Sequence, residues 1–229
     1  MLKQLHKSWW KYATVLLLLY TFIGGLMIDV PARYVLHETI RNLFFHVPVW
    51  FTMILLLLVS LVYSIKYLRT SKLVYDIVAQ SCAKVAVVFG ILGFITGMLW
   101  GSNTWGDLFS WIYADTKILG AFIGILIYAA YFILRGSVDD EEKRAKVSAV
   151  YSIFAYVLLI VFIFVIPRLT DSLHPGNGGN PAFSMYDLDN TMRIIFYPAI
   201  LSYFGLGLWI SSLHVRMRIL HYKINKIAV

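Results

Sequence analysis

Six apolar stretches run through this chain of 229 residues, at 12–28, 47–65, 77–99, 118–134, 147–166 and 194–213. Each is close to the ~20 residues with which a helix crosses bilayer hydrocarbon. Lys84 is the one clear charge inside any of them. The first run is too long, and too poor in a small-residue cleavage site, to read as a removable signal peptide. With 60% hydrophobic and only 14% charged residues, and a mean hydropathy of +0.74, the composition is not that of a soluble domain. The expected fold class is an all-α polytopic membrane protein, a single integral domain over 1–229 with six transmembrane helices.

Charge sets the expected orientation. Lys3, Lys7 and Lys11 precede the first run, and Lys66, Arg69 and Lys72 lie between the second and third. Arg135, Lys143, Arg144 and Lys146 lie between the fourth and fifth, and Arg216, Arg218, Lys223 and Lys226 follow the sixth. These are fourteen of the twenty Lys and Arg, all on one side of a six-span chain. The other side holds Arg33, Arg41, Lys117, Arg168 and Arg193. The positive-inside rule therefore puts both termini in the cytoplasm. The net charge of +8 is accounted for by these flanks, which leaves no case for nucleic acid as a partner; the lipid bilayer is the expected one.

Three outer connections follow, at 29–46, 100–117 and 167–193, longer and richer than the short charged inner ones. Long connections are usually functional or disordered, and these are too aromatic for disorder. The middle one carries Trp100, Trp105 and Trp111 with Gly101 and Gly106, an aromatic ledge beside which a flat partner can approach the backbone. The lone Cys82 lies inside the third run and reads as a small buried apolar residue.

Histidine is the other signal. His46 precedes the second run in Phe44-Phe45-His46-Val47-Pro48, with Pro48 placed as a first-turn residue. Taken alone, a satisfied interfacial side chain is its commoner role. His174 changes the balance: it falls in a loop dense in turn formers, on the same side as His46 and the tryptophan ledge. Two neutral imidazoles can hold a haem iron from opposite faces while aromatic groups cover the macrocycle. A zinc site stays open, since Asp171 or Asp115 can add a donor. His37, beside Glu38, competes with His46; His6, His214 and His221 fall in basic inner flanks. Haem propionates need cationic partners, and Arg41, Arg168, Lys117 and Arg193 stand at the outer edge, where each is equally suited to membrane anchoring.

The pattern Arg41-x-x-x-x-His46-Val47-Pro48, then Trp100-Gly101-x-x-x-Trp105-Gly106, then a histidine in the next outer loop, resembles the CcmC/CcsA group of haem-handling proteins of cytochrome c maturation. The likeness extends over nearly the whole chain. It implies haem b held by His46 and His174 as axial ligands, with the segment from Trp100 to Trp111 as platform. It further implies presentation of haem at the outer face of the bacterial cytoplasmic membrane to a CcmE-like chaperone. A CcmA/CcmB-like ABC complex and a small CcmD-like membrane protein are the other implied partners. The ledge departs from the group's pattern: Leu108 and Phe109 stand where tryptophan is usual, and Ile112 follows Trp111. Asp115-Thr116-Lys117 then aligns with the group's acid–x–base element. No nucleophile or acid–base pair points to an enzyme. Two other classes compete: a b-type cytochrome subunit, and a cofactor-free transporter in which Lys84 is the functional charge, the plainer role of that lysine being snorkelling or pairing with a neighbour such as Asp76.

Overall fold

The computed structural model describes residues 7–31, 36–106, 115–170, 172, 174 and 188–227, and among these every regular element is helical. Six long helices follow one another: α1 (Trp9–Met27), α2 (Leu43–Thr70), α3 (Leu73–Trp105), α4 (Thr116–Gly136), α5 (Glu141–Ile160) and α6 (Asn190–Ile227). A 3-10 turn, His37–Asn42, leads into α2. A π turn, Val161–Val165, and a 3-10 turn, Ile166–Arg168, close α5. All six are long and apolar enough to cross a membrane. This is a six-span membrane protein, and its surface has the corresponding inversion: Leu16, Ile133 and Phe154 are each about two-thirds exposed or more. In water such an apolar surface would drive association; against lipid it is the solvated face.

The helices extend past the apolar runs that announce them. Hydropathy marks only the part of a helix that meets hydrocarbon, whereas the backbone ladder continues until a cap ends it. Two expectations change as a result. Pro48 is not a first-turn residue; it lies inside α2, which begins at Leu43 because the preceding 3-10 turn already has helical geometry. It leaves the carbonyl of Phe44 without its usual partner, a loss of one bond in a helix held by packing. Trp100 and Trp105, expected in a connection, are helical and form the last turns of α3. Gly106 ends that helix at φ 99°, a backbone region that favours glycine.

α2 and α3 form the central pair. A Cβ at Gly93 would stand 2.8 Å from the Trp50 indole, and one at Gly97 would stand 2.7 Å from the His46 ring. Small residues permit this approach, which in a membrane replaces the hydrophobic effect as the source of helix association. Around it Met53, Leu56, Ala86, Phe89, Tyr128 and Leu159 build the main core. Gly120 of α4 lies directly beneath the Phe162 carbonyl, so α4 packs against the π turn through bare backbone. π turns commonly mark functional positions.

At the end of the bundle where α3 begins and α4 ends, Arg135 grips Asp76. Nη1 donates to Oδ1 at 2.7 Å and Nη2 to Oδ2, and both residues are buried. Asp76 therefore pairs with Arg135 and not with Lys84, which is exposed on α3. Removing one member of such a pair strands a buried charge, which costs about 3–5 kcal/mol, whereas apolar replacement of both is close to neutral. Arg135→Met is accordingly expected to lower the melting temperature in detergent steeply. The double variant Asp76→Leu/Arg135→Met is expected to recover most of that loss.

Candidate functional site

The first turns of α2 carry His46 toward α3. Its Nδ1 lies 3.0 Å from the Thr96 hydroxyl. That hydroxyl already directs its proton at the Leu92 and Gly93 carbonyls, at 2.9 and 3.1 Å. In the tautomer with the proton on Nδ1 the hydroxyl accepts from the imidazole, and the lone pair is on Nε2. Trp50, one turn on, meets the ring edge to face at 6.4 Å between centroids. The imidazole is thus held in direction by groups from two helices.

The last turns of α3 bring the tryptophans beside His174. Trp100 and Trp105 meet edge to face at 4.8 Å, and His174 lies 6.3 Å from the first and 5.4 Å from the second. Behind His174 stands Asp115, the N-cap of α4, whose Oδ1 accepts from the backbone amides of Lys117 at 2.9 Å and Ile118 at 3.2 Å. The Ser172 hydroxyl donates to Asp115 Oδ2 at 2.7 Å and accepts from the His174 amide at 3.1 Å. His174 Nδ1 lies 3.7 Å from Asp115 Oδ1, an ion-pair distance and too long for a hydrogen bond. Burial opposes ionisation of Asp115. The neighbouring imidazole, the Ser172 hydroxyl and the Ile118 amide outweigh it, so the carboxyl is held well below the usual carboxylate range.

One cavity of about 240 Å³ joins these parts. His46, Val47, Trp50 and Ile54 supply the α2 wall, Gly93, Phe94, Gly97 and Trp100 the α3 wall, and Ile118 and Ala121 the α4 wall. Ile163 and Phe164 of the π turn close it, and His174 enters from the loop after α5. Its lining is overwhelmingly apolar, with Lys117 and Arg168 at the rim. Two buried nitrogens here, Trp100 Nε1 and His174 Nδ1, have no hydrogen-bond partner among the described residues. Buried polar atoms are normally satisfied.

The residues singled out in the sequence separate accordingly. His46, Trp100, Lys117, Arg168 and His174 line the cavity, Trp105 backs His174, and Asp115 stands behind the ring. Arg41 does not line it. Its Nη1 donates to the Gly25 and Ile28 carbonyls at 3.1 and 2.6 Å and its Nε to Glu38, closing the C-terminal end of α1, whose last carbonyls need donors. Arg193 also lies off the cavity and bonds Asn190 Oδ1 at 3.3 Å. His37 opens the 3-10 turn at φ 41° and does not line the cavity either. Gly106 serves the end of α3, while Trp111 and Asp171 fall outside the described residues. Among the described residues no three His, Cys, Asp or Glu side chains converge as a zinc site requires.

Thr96 and Gly97 went unread in the sequence. Their signal was the spacing of Gly90, Gly93, Gly97 and Gly101, which puts four glycines near one face of an apolar helix. Gly97→Ala is expected to destabilise the protein by about 1–3 kcal/mol through overpacking against His46. In a His46→Ala background the same change is expected to be nearly silent. A double-mutant cycle of melting temperatures measures the difference.

Comparison with known proteins places the whole chain, residues 1–229, in the CcmC family described as "Heme exporter protein C". Among similar proteins, the Heme exporter protein C of Paracoccus denitrificans is 26% identical over 189 residues, 82% of this chain and 76% of that protein. That of Rhodobacter capsulatus is 25% identical over 211 residues, 92% of this chain and 84% of its own. A cytochrome c biogenesis protein CcsA of Prochlorococcus marinus is 39% identical over 83 residues, 34% of this chain and 25% of that protein.

Proposed function

The chain belongs to the CcmC, or Heme exporter protein C, family, and from that premise we propose that its cavity holds haem b as cargo for delivery in cytochrome c biogenesis. The membership itself supports a role in haem handling and cytochrome c biogenesis. The observation that carries the finer reading is the meeting of His46 and His174 on one apolar cavity, beside an unpartnered Trp100 indole.

The residues suit the cargo. With Nδ1 on Thr96, His46 can offer Nε2, and His174 is a half-buried imidazole beside two tryptophan rings; two such ligands are a common donor set for low-spin haem iron. Apolar walls suit the porphyrin faces, and Lys117 and Arg168 stand where propionates would reach water. At about 240 Å³ the cavity falls below the ~300 Å³ at which pockets enclosing a small molecule usually begin. A macrocycle gripped here keeps an edge outside, which is what a carrier needs. Haem brings the reactive vinyl and the redox-active iron. The chain's own residues bind it, orient it and shield its faces from water. On this reading a CcmE-like chaperone receives the haem at the outer face of the bacterial cytoplasmic membrane, by proximity to the exposed edge. A CcmA/CcmB-like complex and a CcmD-like subunit complete the assembly.

Asp115 acts through His174. A carboxylate beside a ligating imidazole raises its basicity and favours ferric iron. The purified, detergent-solubilised protein loaded with haem is expected to give a low-spin, two-histidine optical spectrum. His46→Ala and His174→Ala are each expected to weaken or alter it; retention of the parent spectrum by both would end the assignment. Asp115→Asn is expected to keep the spectrum and raise the haem midpoint potential in a redox titration.

A further inference from the structure

A second cavity, about 150 Å³, opens at the opposite end of the bundle between the starts of α3 and α5 and the ends of α4 and α6. Its charged lining is Asp76, Arg135, Glu141, Arg144, Arg218 and His221. Asp76 and Arg135 neutralise each other through two hydrogen bonds. The other two guanidinium groups have only neutral partners. Arg144 Nη1 donates to the Val138 and Asp139 carbonyls at 3.3 and 3.1 Å, and Arg218 Nη2 to Gln80 Oε1 at 3.0 Å. Both arginines are half-buried, and the one remaining carboxylate, Glu141, is exposed. Two positive charges therefore share a partly desolvated cavity with a single solvated counter-charge. Each retains N–H groups that bond nothing among the described residues. A cation in that position, at a membrane boundary, calls for an anion. Guanidinium forks match the oxygens of a phosphate, and two of them line this cavity.

The adjoining surface identifies the kind of phosphate. Leu213, Met217, Leu220 and Ile224 are between 47% and 64% exposed and recur every three or four residues along α6. They form an apolar stripe beside the face that carries Arg218 and His221. Val215 shares a buried cluster with Ile77 and Val78, which holds this stripe level with the opening turns of α3. A cationic cavity next to an apolar groove on a membrane-facing helix fits an amphiphile with an anionic head.

We propose that the cavity between the starts of α3 and α5 and the ends of α4 and α6 seats the phosphate of an anionic phospholipid, held by Arg144 and Arg218, with its acyl chains along the Leu213–Ile224 stripe. This site is independent of the haem reading. The test uses the full chain in phosphatidylcholine nanodiscs and titrates phosphatidylglycerol, with binding read by native mass spectrometry. Arg144→Gln and Arg218→Gln are each expected to weaken phosphatidylglycerol binding about tenfold, one charge-assisted hydrogen bond's worth. Lys223→Gln, an equal change of charge on a residue that does not line the cavity, is expected to leave it unchanged. Arg144 bonds only backbone carbonyls, so its variant carries the test should Arg218→Gln fail to fold. Equal losses in all three variants would reduce the effect to diffuse surface charge and overturn the proposal, as would no loss in either arginine variant. Displacement of the lipid by inorganic phosphate would overturn the lipid assignment.

Discussion

The close approach of α2 and α3 is the contact on which the rest of the structure depends. Lipid offers apolar side chains no reason to leave it, so two helices associate in a membrane only if their surfaces fit better than either fits hydrocarbon. Gly90, Gly93 and Gly97 give α3 a flat strip into which Met53, Trp50 and His46 of α2 insert. The same contact that joins the helices therefore also aims the His46 ring. It brings Thr96 within hydrogen-bond distance of the imidazole Nδ1. The glycine strip serves both the packing of the helices and the placement of that ring.

The two ends of the bundle solve the problem of polar groups in opposite ways. At the end where α3 begins, Asp76 and Arg135 pair through two hydrogen bonds that tie α3 to α4. At the histidine end Trp100 Nε1 and His174 Nδ1 are buried without hydrogen-bond partners among the described residues. An unsatisfied buried donor or acceptor costs free energy of about 1–3 kcal/mol. A ligand that bonds such atoms would recover that cost; Ser60, Tyr128, Ser148, Ser152 and Ser211 also carry buried atoms unpartnered among the described residues, away from the cavity that the histidines line. Asp115 moderates the strain, since it caps α4, accepts from Ser172 and lies beside His174 at once.

How far the site could be read beforehand depends on the kind of evidence each residue offers. His46, His174, Trp100 and Lys117 were legible because rare residue types at the outer ends of apolar runs stand out against a background of Leu, Ile and Val. Arg41 was just as conspicuous and lies off the cavity, since an arginine at a helix end can serve backbone carbonyls as well as a ligand. The Asp76–Arg135 pair was hidden by its separation of 59 residues, and Arg135 read as one more basic residue of an inner flank. Thr96 and Gly97 were hidden for another reason: threonine and glycine are ordinary in a membrane helix, and their role appears only when the partner helix is in place.

Composition and periodicity determined that this chain spans a membrane six times as helices, because twenty-residue apolar runs have no other stable home. They also determined where the rare chemical groups cluster along the chain. Tertiary structure alone decided which of those groups share a cavity, because the lateral order of helices in a bilayer depends on small-residue contacts and polar pairs that leave hydropathy unchanged. His46 and His37 are nine positions apart and nearly equivalent as letters; only the packing of α2 on α3 sends one ring into the cavity and leaves the other outside it.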